Sequence, residues 1–123
     1  HGVRTDIGSL PWNAFGFAES LELAEKIFAD FQDVDGILGS DVSVASCLQV
    51  ALRRGIKVPE ELKLVAYDGT FITQNGICKL TAVRQPIVEL AKVAAQKIVS
   101  LINGKADTLP WVMPPTLLPG ETC

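Results

Sequence analysis

Short apolar runs alternate along this chain with longer stretches whose apolar residues recur at helical spacing. A chain written this way folds as strands joined by helical crossovers, giving an α/β domain with a largely parallel sheet. Asn13 is a candidate cap for a first helix. Phe17, Leu21, Ala24 and Phe28 then trace one buried stripe, with Glu22 and Lys26 placed to pair on the wet side. Residues 34–38 read as a short strand. Ser40-Asp41 offers a second helix cap, followed by Val44, Leu48 and Ala51 on one face. Arg53-Arg54 suit the negative end of that helix, and Gly55 ends it. Residues 58–61, with Pro59 among them, read as a turn and 64–67 as a buried strand.

Beyond it lies a polar loop, residues 68–79, and an apolar stretch, 80–83. Pro86 is placed to open a third helix in its first turn. Ile87, Leu90, Ala94, Ile98, Leu101 and Ile102 repeat at helical spacing along it, and Asn103-Gly104 stop it. Pro114, Pro115 and Pro119 limit the tail to a short edge strand and turns. Neither internal repeats nor low-complexity segments interrupt the pattern.

Composition narrows the function. With 123 residues, 48% of them hydrophobic, the chain can bury the core of one small domain. No apolar run reaches the roughly 18 residues of a membrane span. The start, His1-Gly2, shows no methionine, basic region or apolar stretch of a signal peptide, and reads as internal to a longer sequence. Eleven basic residues against 14 acidic ones give a net charge of −3, and the closest basic cluster is Arg53-Arg54. Such a surface does not neutralise phosphates, so this piece alone is not expected to hold DNA. Cys47, Cys78 and Cys123 are odd in number and form no C-x-x-C, which argues against a disulfide framework or zinc site and for a reducing cytoplasm.

Catalytic signatures are missing. The lone histidine is His1, at a terminus, and no phosphate-loop, dinucleotide or metalloprotease motif occurs. A phosphorylatable aspartate would need an acidic cluster and a partner lysine at a strand end, and none assembles. No enzyme, cofactor or metal is expected. What remains are polar groups where strands end, the place where open α/β sheets bind ligands. Ser40 and Asp41 follow one strand and Asp68 another. Carboxylates and hydroxyls there suit the hydroxyl groups of a sugar, and Trp12 offers a ring for its apolar face. The same residues serve equally as a helix cap (Asp41), a turn former (Asp68) and a core anchor (Trp12).

Four motifs in order resemble the lac/gal-repressor family. They are Asp35-Gly36-Ile37-Leu38-Gly39-Ser40-Asp41, Ala51-Leu52-Arg53-Arg54-Gly55-Ile56-Lys57-Val58-Pro59-Glu60-Glu61, Val65-Ala66-Tyr67-Asp68 and Leu80-Thr81-Ala82-Val83-Arg84-Gln85-Pro86. The family patterns run D-G-I-x-x-x-N-D, A-L-x-x-x-G-I-x-V-P-E-D, V-x-G-[FY]-D-D and L-T-T-V-R-Q-P. Residues 1–11 and the tail match only weakly.

The resemblance implies a periplasmic-binding-protein-like type I lobe, the C-terminal subdomain of an incomplete two-lobed fold, with residues 1–123 a single partial effector-binding domain. The helix at 86–104 is then expected to belong to the missing N-terminal lobe. It also implies a repressor that senses a small-molecule effector, a sugar, as a homodimer, and reaches operator DNA only through a missing N-terminal headpiece. Asp68 matches an aspartate that hydrogen-bonds sugar hydroxyls. Ser40 stands where an asparagine contacts effector, Asp41 matches its neighbour, and Trp12 falls near a stacking aromatic. Gly69 replaces the second aspartate of the family pair. Leu118-Pro119-Gly120-Glu121-Thr122 resembles L-V-x-R-E-[ST], with Gly120 in place of the arginine. Residues 70–77 and 42–53 fall where family members dimerise, making Val44, Leu48, Phe71 and Ile72 candidate contacts, with plain core burial the alternative for Val44 and Leu48. The alternative is one lobe of a secreted sugar-binding transport protein, which shares the fold. Its mark would be a signal peptide in place of a headpiece.

Overall fold

A computed structural model describes residues 16–105 and 112–123. Asn13 and Trp12 lie outside the described residues. The elements run α1 (Phe17–Asp30), β1 (Gly36–Ser40), α2 (Asp41–Arg53), β2 (Lys63–Asp68), a single 3-10 turn at Phe71–Thr73, β3 (Thr81–Arg84), α3 (Ile87–Ile102) and β4 (Thr116–Leu118). The sheet order is β1-β2-β3-β4. The first three strands are parallel, with Leu38 opposite Val65 and Val65 opposite Thr81, and β4 returns antiparallel beside β3. The fold is therefore the expected α/β lobe with a mostly parallel sheet.

The strand expected at residues 34–38 forms two residues later, at Gly36–Ser40. Apolar residues nominated it, but the ladder places it: Lys63 N donates to Asp35 O, and paired residues begin with Gly36 opposite Lys63.

One face of the sheet makes the core. Leu64, Ala66 and Ala82 are fully buried against α2, which presents Val44, Cys47, Leu48 and Ala51, while α1 closes the layer with Ala24 and Phe28. The alanines matter because a small side chain lets a helix approach the sheet closely. Burying an aliphatic side chain such as Leu64 contributes about 1.5–3 kcal/mol. The stripe expected on α1 is partly corrected: Leu23 and Ser20 are buried with Ala24 and Phe28, Leu21 only partly, and Phe17 is 54% exposed. Phe17 shares the azimuth of Phe28 but sits at the other end of the helix, where no described residue covers it.

Helix α2 ends as its sequence dictates. Gly55 takes φ +74 and donates to Leu52 O, while Ile56 N donates to Ala51 O, a Schellman motif that satisfies the last carbonyls. The turn that follows has a cis Val58–Pro59 peptide and is closed by Lys57 N donating to Glu61 Oε2 at 2.8 Å.

Pro86 is not inside the third helix but caps it. Its φ of −79° and ψ of 63° make an inverse γ-turn, closed by Ile87 N donating to Gln85 O at 2.9 Å. None of the residues of α3 is buried, and Ile87, Ile98, Leu101 and Ile102 are all exposed. The second sheet face is also uncovered among the described residues, with Leu38, Tyr67 and Leu117 exposed.

The tail is more than an edge. Thr122 is fully buried; its hydroxyl donates to Leu64 O at 2.7 Å and accepts from Thr81 N at 3.0 Å, while Leu64 N donates to Thr122 O. Glu121 exchanges two bonds with Lys79, one through its carboxylate. Gly120 explains why the family arginine is absent: a Cβ there would lie 2.4 Å from the backbone of Leu80 and Thr81. Its amide donates to Thr81 Oγ1 at 3.1 Å, so the tail lies flat against the entry to β3.

Candidate functional site

Parallel strands all point their carboxyl ends the same way, so β1, β2 and β3 deliver Ser40, Asp68 and Arg84 to one edge of the sheet. Register brings them side by side: Ser40 faces Tyr67, and Asp68 faces Arg84.

Ser40 caps α2. It adopts extended backbone angles, its hydroxyl accepts weakly from Ser43 N at 3.4 Å, and it shares a 2.9 Å bond with the Ser43 hydroxyl. Both hydroxyls sit at the rim, and Ser40 is exposed.

Asp41 behaves differently from expectation. It is only 3% exposed, and its two oxygens accept from Gly69 N at 3.2 Å and Thr70 N at 2.6 Å. A buried carboxylate turned onto two backbone amides ties the β2 loop to the start of α2. With both oxygens engaged in this tie, the geometry supports a loop-organising role for Asp41 rather than a direct effector contact.

Asp68 ends β2 at φ +119, the one non-glycine residue with positive φ among the described residues. Such a conformation costs on the order of 1–3 kcal/mol and persists where surrounding contacts enforce it, often at binding sites. Here Gln85 supplies the enforcement. Its Nε2 donates to Asp68 Oδ1 at 2.6 Å and its backbone N to Asp68 O at 3.2 Å. The second carboxylate oxygen of Asp68 has no hydrogen-bond partner among the described residues, and the residue is half-buried.

The next position shows why the family's second aspartate is missing. Gly69 has φ +67, and a Cβ would fall 2.7 Å from Cα and Cβ of Arg84. This strand crossing admits only glycine without a shift of β3. The Asp68-Gly69 dipeptide signals a turn, but the crowding by Arg84 is tertiary. Sequence reasoning likewise passed over Gln85 and Thr70; Gln85 stood in the quoted motif, but nothing in the motif tells which carboxylate it meets.

The expected dimer contacts divide. Val44 and Leu48 are 0% and 5% exposed in the core, so neither can touch a second copy, and that expectation is withdrawn for both. Phe71 is 76% exposed and Ile72 half-buried, on the short 3-10 turn. Trp12 lies outside the described residues.

At the opposite end of the domain Phe28, Phe31, Val34, Arg54 and Ile56 line an open depression of about 440 Å³. The Arg54 guanidinium lies 5.4 Å above the Phe28 ring and is paired with Glu25. Ser40, Asp41 and Asp68 do not line it. All three cysteines are free. Burial pushes the Cys47 thiol up to about 11 and raises that of Cys78, where Glu121 adds to the effect.

The periplasmic binding protein-like domain family matches residues 1–123. The ribose operon repressor of Bacillus subtilis is 33% identical over 104 residues, covering 82% of this chain and 31% of the repressor. The chain belongs to the lac/gal-repressor family. Within that family, the sucrose operon repressor of Streptococcus mutans is 30% identical over 102 residues, covering 82% of this chain and 32% of the relative. The chain thus spans about a third of the length of these curated relatives. Among solved structures, the regulator CelR in complex with cellobiose superposes with a TM-score of 0.82 at 23% identity, covering 89% of this chain and 34% of CelR. The lac repressor dimer bound to operator and the anti-inducer ONPF gives 0.78 at 19%, covering 90% and 38%. These two show the same fold. The relatives named are operon repressors rather than enzymes or transport proteins.

Proposed function

We propose that this chain is the carboxyl-terminal part of the effector-sensing domain of a bacterial transcriptional repressor, and that it binds a sugar at the carboxyl edge of its sheet. The observation that carries the reading is Asp68: a strained, half-buried carboxylate with one oxygen held by Gln85 and the other without a hydrogen-bond partner among the described residues. A carboxylate in that state accepts strong bonds from sugar hydroxyls. The Ser40 and Ser43 hydroxyls extend the same rim, and Trp12 is proposed as the ring against the sugar's apolar face. That relatives are named for ribose and sucrose operons supports the ligand class.

In this reading α3 belongs to a second lobe, which would cover its apolar face and close over the sugar. The unburied stripe of α3 supports that assignment. The repressor works as a homodimer with Phe71 and Ile72 at the contact. It acts in the cytoplasm, performs no catalysis, and reaches operator DNA through a separate headpiece. The acidic balance of this chain supports the division of labour.

The test is calorimetric titration of the full-length repressor with ribose, sucrose, cellobiose and lactose, with and without Asp68→Asn. Losing a charge-assisted bond in a shielded site costs about 1–3 kcal/mol, so affinity for the bound sugar should fall roughly 5- to 150-fold while operator binding without sugar survives. Unchanged affinity in a folded variant would make Asp68 a turn residue and refute the site.

A further inference from the structure

We propose that Gln85 is the positioning residue of the sugar site, holding the Asp68 carboxylate so that one fixed oxygen meets the ligand. The proposal rests on the reading of Asp68 as the sugar acceptor. Its ground is the number of ways Gln85 is itself held. Gln85 N donates to Asp68 O at 3.2 Å, and Gln85 O accepts from Ile87 N at 2.9 Å across the γ-turn centred on Pro86. The proline ring fixes φ at the centre of that turn, so the direction of the Gln85 carbonyl is fixed with it. From this anchored backbone the side-chain amide donates to Asp68 Oδ1 at 2.6 Å, the short distance of a charge-assisted bond.

Asp68 is the last residue of β2 and its backbone is paired with Arg84, but the ladder does not set the plane of a carboxylate carried at φ +119. Without a donor its plane turns about the bond to Cβ, and a sugar must pay to order it. With Oδ1 occupied, Oδ2 has one direction, which is the pre-organisation a specific site requires. The choice of glutamine also has a chemical reason. A lysine or arginine would neutralise the carboxylate and weaken its bonds to hydroxyl donors, and a glutamate would repel it. The neutral amide holds the anion and leaves its charge for the ligand.

The experiment is a double-mutant cycle in the full-length repressor. Its titrant is whichever of ribose, sucrose, cellobiose and lactose the wild type binds most tightly. Gln85→Met keeps the length of the side chain and removes the donor. Affinity should fall about tenfold in Gln85→Met, and by less than twofold when Gln85→Met is added to Asp68→Asn, because a positioning residue has nothing left to position. A loss in Asp68→Asn with none in Gln85→Met leaves the site standing and overturns the positioning role. An equal loss in both backgrounds also overturns it, since Gln85 then acts on the sugar directly or through the fold. No loss in Asp68→Asn, or no sugar bound at all, refutes the site itself and the proposal with it. Should Gln85→Met fail to fold, the NMR signals of the Gln85 side-chain amide decide. They should lie away from those of a free glutamine amide and move in Asp68→Asn; free-amide positions in the folded wild type overturn the proposal.

Discussion

Asp41→Ala should cost this domain a large share of its stability. The carboxylate is 3% exposed and accepts from Gly69 N and Thr70 N, the first of them buried. A hydrogen bond to a charged group contributes about 1.5–3 kcal/mol, and a buried amide left without a partner carries most of that as penalty. Thr70 is half-buried, so water repairs part of its loss, and the two together come to about 3–4 kcal/mol. Asp41 also sits in the first turn of α2, where a negative charge adds about 0.3–1 kcal/mol against the helix dipole. Domains of this size have about 5–15 kcal/mol in all, so the variant should be folded but close to its limit. Asp41→Asn keeps one acceptor and turns an amide donor toward the other N–H, giving an intermediate loss. Urea unfolding measures the totals, and hydrogen exchange should show loss of protection at Gly69 and Thr70 first. A loss below about 1 kcal/mol in Asp41→Ala, or undiminished protection of both amides, would refute the assignment of Asp41 as the tie between loop and helix.

Gly120→Arg, which restores the family residue, should lower the thermal midpoint markedly, and Gly120→Ala nearly as much, because the clash begins at Cβ against backbone 2.4 Å away. An unchanged midpoint in Gly120→Ala would show that the tail can lift freely. Cys47 keeps its proton in the folded state up to about 11, against an ordinary value of 9.0. The unfolded chain releases that proton first as pH rises. Stability should therefore fall by about 1.4 kcal/mol per pH unit across that window, on top of other titrations. Cys47→Ala should remove that slope in denaturant titrations, and an identical slope in the variant would contradict it. Joint replacement of Ile98 and Leu101 by Lys should leave the thermal midpoint of the 123-residue chain unchanged and reduce its self-association in sedimentation, because neither side chain is buried. The same pair should destabilise the full-length repressor; unfolding of the short chain would place α3 in its own core.

Much of this architecture is local, and local features are legible. The Ser40 cap, the Gly55 stop, the turn at 58–61 and the α/β alternation depend on residues within a turn or two of one another, where side-chain chemistry and φ preference act directly. The four ordered motifs carried the family for the same reason: they are contiguous. The tertiary structure decided what depends on meetings between distant segments. Leu48 and Val44 are read alike as core or as contact until α1 and the sheet close over them. Asp41 meets amides 28 and 29 residues away, and Gln85 meets a carboxylate 17 residues away. Gly69 and Gly120 are needed because another strand's backbone passes within 3 Å of where a side chain would begin. Register and close approach arise from all the strands at once, so no single stretch of sequence encodes them.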